Sequence, residues 1–224
     1  MLDDRVLDDL LQRLIQLAAQ TLRGAASVSI TLQDEGGYRT SNSTGRVALV
    51  IDEAQYEADA GPCLEALRRG EQVQVQLDEA VDRWPAFAAR AREEGITGVL
   101  STPLVLGADP GSVGAMNMYS AEGGTFDAAE QRTARMMAEH AAVLVGTTSA
   151  LLSARQANAQ LETALASREV IGMAKGILME REGCDRDEAF DILRRGSQRE
   201  NRKLRDLADA LVDRVEARGK ESGS

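Results

Sequence analysis

The chain reads as an α+β domain followed by an all-helical one, and three observations predict this. Between residues 27 and 119, short apolar and alternating runs are separated by turn signals, as strands require. From Asp127 onward the pattern turns helical and meets no proline and no clear stop until about Gly183. The surface chemistry also breaks near residue 150. Residues 1–150 carry 12 basic and 22 acidic side chains, residues 151–224 carry 14 of each, and the three lysines (Lys175, Lys203, Lys220) all lie in the second part. At roughly 150 residues per domain, 224 residues hold about two domains. The expected organisation is an α+β domain at 1–147, a helical linker at 148–160, a helical domain at 161–217 and a disordered tail at 218–224.

The elements follow in order. Leu7, Leu10, Leu11, Leu14, Ile15, Leu17, Ala18 and Leu22 recur at helical spacing and end at Gly24, which predicts an amphipathic first helix over 3–23. Residues 27–32 alternate strictly, 34–37 read as a turn, and the apolar run Val47 to Ile51 reads as the next strand. Further strands are expected at 73–77, 99–106 and 113–119, the last two joined by the loop 107–111, with short helices at 61–70 and 84–94. Across the junction, Met137, Leu144, Leu151, Asn158 and Leu165 keep a seven-residue spacing that predicts a two-stranded coiled coil, with Asn158 fixing register. The companion positions His140, Thr147, Ala154 and Leu161 are mostly poor core residues, which leaves an ordinary helix packed on its own domain as the alternative.

Composition excludes several functions. No apolar run approaches the roughly 20 residues that cross a bilayer, and the acidic start lacks the basic region of a signal peptide, so a cytoplasmic protein is expected. Cys63 and Cys184 fall in different domains, and neither has a Cys or His at metal-ligand spacing, so reduced thiols and no metal site are expected. No phosphate-binding loop is present, the single histidine rules out a two-histidine metal site, and the acidic residues show no catalytic pairing. These features predict a non-enzyme without a resident cofactor. With 3% aromatic residues, any nucleic-acid surface must rely on charge and shape rather than rows of stacking rings.

The C-terminal third reads as three helices. The first, over 161–181, places Ala164, Ile171, Ala174 and Leu178 on its core stripe. Arg168, Gly172, Lys175 and Met179 share the opposite face, because seven residues bring a helix round almost two full turns. Asp185 and Glu188 have the spacing of a capping box and open a second helix that stops near Gly196; the third runs from Lys203 to Ala217. Between them, 194–205 holds six cations in twelve residues, and Ser, Gln and Asn add groups able to reach phosphate or base edges. On charge alone a solvated surface is the better reading, since charge runs usually face water.

The run Ala164 to Arg181, followed by Asp187-Glu188-Ala189-Phe190, Leu193-Arg194, Ser197-Gln198 and Asn201-Arg202-Lys203-Leu204, resembles the ANTAR family. The resemblance implies a three-helix module of bacterial antiterminators that works as a dimer and binds twin stem-loops in nascent RNA. Carried over, it makes Arg168, Lys175, Arg195, Asn201, Arg202, Lys203 and Arg205 the candidate RNA-binding residues. It implies that the small Ala174 and Gly176 allow close helix packing. It also expects an aromatic where Phe190 stands, read first as core and second as a stacking residue.

Gln55-Tyr56, the stretch Gly61 to Ala66, Arg83-Trp84-Pro85, Thr102-Pro103-Leu104, the stretch Gly114 to Ser120 and Phe126-Asp127 resemble the GAF domains that precede such modules. That implies an antiparallel sheet with flanking helices and a cavity for a small-molecule ligand whose identity stays unknown. Cys63, following Gly61-Pro62, is read as a buried structural thiol, with a helix N-terminus favouring thiolate as the alternative. His140 reads as an ordinary helix residue rather than a haem ligand. The reading is a signal-responsive transcription antitermination regulator that forms a homodimer through the linker helix and binds no membrane. A protein-binding regulatory module without RNA, or duplex DNA binding, is the competitor.

Overall fold

The computed structural model describes residues 4–34, 36–107, 112–123 and 125–221. Within these the order is α1 (Asp4–Thr21), β1 (Ser27–Asp34), β2 (Gly37–Ser43), α2 (Arg46–Glu57), α3 (Pro62–Arg69), β3 (Val73–Gln76), α4 (Leu77–Arg83), α5 (Pro85–Glu93), β4 (Gly98–Val105), β5 (Ser112–Ser120), α6 (Ala128–Glu182), α7 (Arg186–Glu200) and α8 (Leu204–Glu221). Two compact units divide the chain, Met1–Leu151 and Leu152–Ser224. Among the described residues no helix is long and apolar enough to cross a membrane.

The first unit is a five-stranded antiparallel sheet in the order β2-β1-β5-β4-β3. Side chains alternate across a strand, and here the two faces differ in chemistry. Val28, Ile30, Leu100, Met116 and Met118 meet Leu11 and Ile15 of α1 and Ala138, Ala141 and Ala142 of α6 in the main core. The opposite face carries Ser29, Ser101, Asn117 and Tyr119, all buried. Ser29 and Ser101 flank Asn117 in register on neighbouring strands. Tyr119 and Val99 also join a second apolar cluster with Ile51 of α2 and Phe87 and Ala91 of α5. Trp84 caps the start of α5 ahead of Pro85 and meets Phe87 edge-on at 6.5 Å between ring centroids.

Two expectations for this unit are corrected. The run Val47 to Ile51 belongs to α2, and its buried positions Ala48, Ile51, Asp52 and Gln55 follow a helical period rather than alternation. The second strand is instead the polar Gly37–Ser43, an edge strand paired on one side only, which needs no apolar run. Residue Leu77, expected in a strand, begins α4. The connection 108–111 lies outside the described residues.

In the second unit Ala174, Leu178, Ala189, Leu193 and Ala208 form the core, joined by Ile171, Ile192, Leu204 and Leu207 at its edge. The capping box at Asp185 is complete: its carboxylate accepts from the backbone N–H of Asp187 and Glu188 at 2.9 Å each, and Glu188 accepts from the Asp185 N–H at 3.0 Å. The expected stop at Gly196 is overturned. α7 passes through it, because a Cβ there would sit 2.8 Å from Leu207; the glycine serves close packing on α8, and the helix ends at Asn201 in the left-handed region (φ 50°, ψ 42°). α8 likewise continues to Glu221, past the expected end at 217, with Arg218, Lys220 and Glu221 as helix formers on either side of Gly219; residues 222–224 lie outside the described residues.

Asp185→Ala removes two caps at once and should cost the second unit about 1 kcal/mol. Urea denaturation followed by far-ultraviolet circular dichroism should show an earlier midpoint for helix loss; an unchanged midpoint would mean that packing alone sets where α7 begins.

Candidate nucleic-acid interface and a buried polar cluster

On the second unit, α6 and α7 border an open groove of about 760 Å³. Its α6 side is built by Arg168, Gly172, Lys175, Gly176 and Met179, and its α7 side by Arg186 and Phe190. The helical period alone explains the alignment, since these α6 residues recur at three- and four-residue intervals beside the core stripe of Ala174 and Leu178. A Cβ built on Gly172 or Gly176 would meet nothing within 4 Å, so neither glycine is there for helix packing, contrary to the expectation for Gly176; Ala174 does lie fully buried in the core. Each mid-helix glycine costs about 1 kcal/mol relative to alanine.

Phe190 is 38% exposed rather than a core residue, because the buried stripe of α7 runs through its neighbours Ala189 and Leu193. Its ring has the Lys175 Nζ 5.6 Å from the centroid, a cation–π arrangement. Among the described residues, Arg168, Lys175 and Arg186 have no carboxylate partner within ion-pair distance.

The other expected site residues sit elsewhere on the unit. Arg195 is nine residues from Arg186, about two and a half turns, so it projects from the opposite side of α7, with its Nε donating to the Asp191 carbonyl at 3.3 Å. Arg202 is 3.5 Å from Glu200, and Arg205 is 3.7 Å from Asp209. Lys203 is exposed between α7 and α8. Asn201 has a structural duty as the left-handed cap of α7, a conformation that asparagine tolerates well. Arg186 escaped the sequence reading, although its four-residue spacing from Phe190 after a recognised cap put both on one face.

The first unit holds a different chemistry. Asp52 is fully buried beneath the polar face of the sheet. Tyr119 Oη donates to its Oδ1, Asn117 Nδ2 donates to the same oxygen at 3.2 Å, and Thr40 Oγ1 donates to Oδ2 at 2.9 Å. Tyr56 Oη lies 3.0 Å from Thr40 Oγ1 and 2.7 Å from Thr31 Oγ1, and Cys63 Sγ donates to Thr31 Oγ1 at 3.3 Å. Gln55 braces the cluster, donating to Tyr119 Oη at 3.2 Å and accepting from the Cys63 N–H at 2.9 Å. Only glycine fits at 61, where a Cβ would fall 2.3 Å from the Gln55 amide oxygen. Burial pushes the Asp52 carboxyl up to about 6 despite its donors. Burial, reinforced by the Asp52 charge, pushes the Cys63 thiol up to about 12, which overrides the start of the short helix α3 and disfavours thiolate. His140 is exposed on α6, with Nδ1 2.6 Å from the Met136 carbonyl.

Residues 4–145 match the family model for the GAF domain, and residues 159–212 match that for the ANTAR domain. No curated protein matches the chain. Among solved structures the chain is similar to the GAF domain region of a membrane protein from Geobacter sulfurreducens (TM-score 0.54, 19% identity, 64% of this chain and 95% of that one). It is similar also to a domain of a two-component sensor histidine kinase protein from Sinorhizobium meliloti (TM-score 0.55, 19% identity, 66% and 96%) and to a GAF domain/HD domain protein from Geobacter sulfurreducens (TM-score 0.51, 21% identity, 64% and 94%). At these identities the likeness is one of fold.

A buried acid whose carboxyl is raised from 3.8 to about 6 is bound to its proton more tightly in the folded chain than in the unfolded one. Its contribution is therefore fully present below pH 4 and falls by roughly 3 kcal/mol as pH rises to 6 and beyond. Asp52→Asn keeps the shape and removes the titration. Its stability relative to the native sequence should rise across that window, measured by chemical denaturation at pH 4, 5, 6 and 7; a constant difference at all four would show that Asp52 does not titrate there.

Proposed function

Because the chain belongs to the GAF domain family and carries an ANTAR domain behind that sensor, we propose that it is a signal-responsive transcription antitermination regulator that binds twin stem-loops in nascent RNA. The observation that carries this reading is the cationic groove of the second unit, in which Arg168, Lys175 and Arg186 stand unpaired in a chain of net charge −10. Phosphate binding releases counterions in proportion to the cations engaged, so placement of free cations on one surface matters more than net charge. Arg202, Lys203 and Arg205 extend the basic character to the α7–α8 connection, where the carboxylate contacts of Arg202 and Arg205 are exposed, worth little, and readily exchanged for phosphate.

The protein acts by binding alone and as a homodimer. Leu161 and Leu165 of α6 are 61% and 65% exposed, while Met137 and Leu144, earlier on the same seven-residue pattern, are committed to the core of the first unit. Exposed leucines at coiled-coil spacing gain most from a second copy. A signal received by the sensor then shifts the population of the RNA-competent dimer.

Two measurements test the proposal. In a mobility-shift assay at moderate salt the protein should prefer twin stem-loop RNA to unstructured RNA and to duplex DNA. Lys175→Ala and Arg202→Ala should each weaken binding and reduce the slope of log affinity against log salt by about 0.7 to 0.9. No preference for stem-loops would sink the reading in favour of a protein-binding module. Leu161→Glu combined with Leu165→Glu should convert a dimer to a monomer in light scattering, and a dimer that survives both changes would place the contact elsewhere.

A further inference from the structure

We propose that the first unit carries a proton-operated switch, in which one proton taken from solvent by the buried Asp52 carboxyl reverses a chain of hydroxyl groups running through Thr40, Tyr56 and Thr31 to the thiol of Cys63. The device lies wholly in the first unit and stands or falls apart from the RNA-binding reading. The hydrogen count of the cluster carries it, because a hydroxyl has one hydrogen to give. Thr40 Oγ1 gives its hydrogen to Asp52 Oδ2 at 2.9 Å, so the Tyr56 hydroxyl, 3.0 Å away, gives to Thr40. Tyr56 then has none left for Thr31, and Thr31 gives to Tyr56 at 2.7 Å. Thr31 Oγ1 in turn accepts from Asn117 Nδ2 at 3.0 Å and from the Cys63 thiol at 3.3 Å. Every hydrogen of the chain points toward the carboxylate.

A proton arriving at Asp52 turns that order round. Oδ1 accepts from Tyr119 Oη and from Asn117 Nδ2 at 3.2 Å, and an amide nitrogen can only donate. Oδ2 faces the Thr40 hydroxyl, which can rotate, so the proton settles on Oδ2 and is given to Thr40. Thr40 then gives to Tyr56, and Tyr56 gives to Thr31. With both acceptor positions of Thr31 filled by Tyr56 and Asn117, its own hydrogen turns to the Cys63 sulfur, and the thiol hydrogen loses its acceptor. A change of charge on α2 is thereby registered on α3 through side chains of β2 and β1.

The surroundings leave Asp52 as the group that changes charge. Tyr56 of α2, Cys63 of α3 and Tyr119 of β5 are the titratable side chains in its network, while β1, β2 and β4 bring Ser29, Thr31, Thr40 and Ser101 to that face and α4 and α5 bring Ala80, Phe87 and Ala91. Tyr38 of β2 stacks on Tyr56 at 6.1 Å between ring centroids, and the Arg68 guanidinium 6.0 Å from the Tyr38 ring is paired with Asp59. Burial, reinforced by the Asp52 charge, raises Tyr56, Tyr119 and Cys63, so all three keep their protons near neutrality. Burial pushes Asp52 up to about 6, inside that range. Thr40 and Tyr56 are half-buried, which gives the proton a way in from the edge strand. Asp52, Gln55, Cys63, Asn117 and Tyr119 are fully buried, so anything larger than a proton would have to part α2 from the sheet to arrive.

The test is infrared spectroscopy of the full-length protein carrying Cys184→Ser, which leaves Cys63 as the sole source of an S–H stretching band. As pH falls from about 7.5 to about 5 the band should move to higher frequency, as a thiol does on losing its acceptor, with a one-proton midpoint near 6. Asp52→Asn presents an N–H where the protonated acid presents O–H, and should hold the band at its low-pH position throughout. Thr40→Val keeps the shape of the side chain and removes the first link, so the band should stay still while the protonated carboxyl band of Asp52 still appears with falling pH. Fluorescence of Trp84, the single tryptophan, packed in the same cluster as Tyr119, checks that each variant keeps its fold. A Cys63 band that does not move in the Cys184→Ser protein overturns the switch, and that measurement needs neither further variant to fold. A band that moves as far in Asp52→Asn or in Thr40→Val overturns it as well, since the thiol would then be answering to something other than this chain.

Discussion

One helix supplies side chains to two separate cores, and most of the structure follows from that constraint. The early part of α6 buries Ala134, Met137, Ala138, Ala141, Ala142 and Val145 against the sheet and α1. Its last part buries Ala174 and Leu178 against α7 and α8. The first of these stripes is dominated by alanine, which brings the helix axis close to the sheet and leaves the larger Met116, Met118 and Leu100 to fill the layer between. Gly146 extends the same logic: a Cβ there would fall 2.5 Å from Leu106. Between the two stripes Leu152, Leu161 and Leu165 are exposed, so their burial by a second copy would weaken neither unit.

The sheet makes a second division, between an apolar face and a polar one. A carboxylate taken out of water is costly unless hydrogen bonds replace the lost hydration. Asp52 meets that requirement in part, with three donors drawn from β2 and β5, and Gln55, Tyr56 and Cys63 tie α2 and α3 to the same set. Networks of this kind position elements more strictly than apolar contacts, because each donor has a direction. α2 and α3 are thus held over the sheet by geometry as well as by burial. The Asn117 Oδ1 and Ser101 Oγ atoms, adjacent in register, remain without a partner at the centre of the face.

How much of this was legible in the sequence depended on whether one periodicity dominated. α1, α6 and the central strands β1, β4 and β5 each bury one continuous apolar set, and their types were readable. β2 was not, because an edge strand with polar side chains has no apolar pattern to read, and the nearby run Val47 to Ile51 mimics a strand over five residues. The Asp52 cluster was hidden for another reason. Its members come from β1, β2, α2, α3 and β5, so no sequence spacing links them; only the fold brings Thr31, Thr40, Asp52, Cys63 and Asn117 together. The groove was half legible. Arg168, Gly172, Lys175 and Met179 lie on one helix and obey its period, whereas pairing them with Phe190 requires knowing how α7 packs.

The placement of charge shows why a net count is a poor guide to partners. Twelve basic residues in the first 150 face 22 acidic ones, and the arginines there are drawn into pairs such as Arg83 with Glu65 at 2.7 Å and Arg46 with Glu94 at 3.0 Å. In the second unit Arg194, Arg199, Arg202 and Arg205 also find carboxylates. What sets the groove apart is that its cations are spaced by the helix itself: Arg168 and Lys175 stand seven residues apart on α6, and Arg186 opens α7 opposite them. Among the described residues no acidic side chain lines the groove. A polyanion therefore meets attraction at the groove and repulsion at the first 150 residues, where 22 acidic side chains outnumber 12 basic ones, which biases encounters toward the second unit. The acidity of the first part of the chain then works for selectivity, because it disfavours nonspecific contact with the same polymer there.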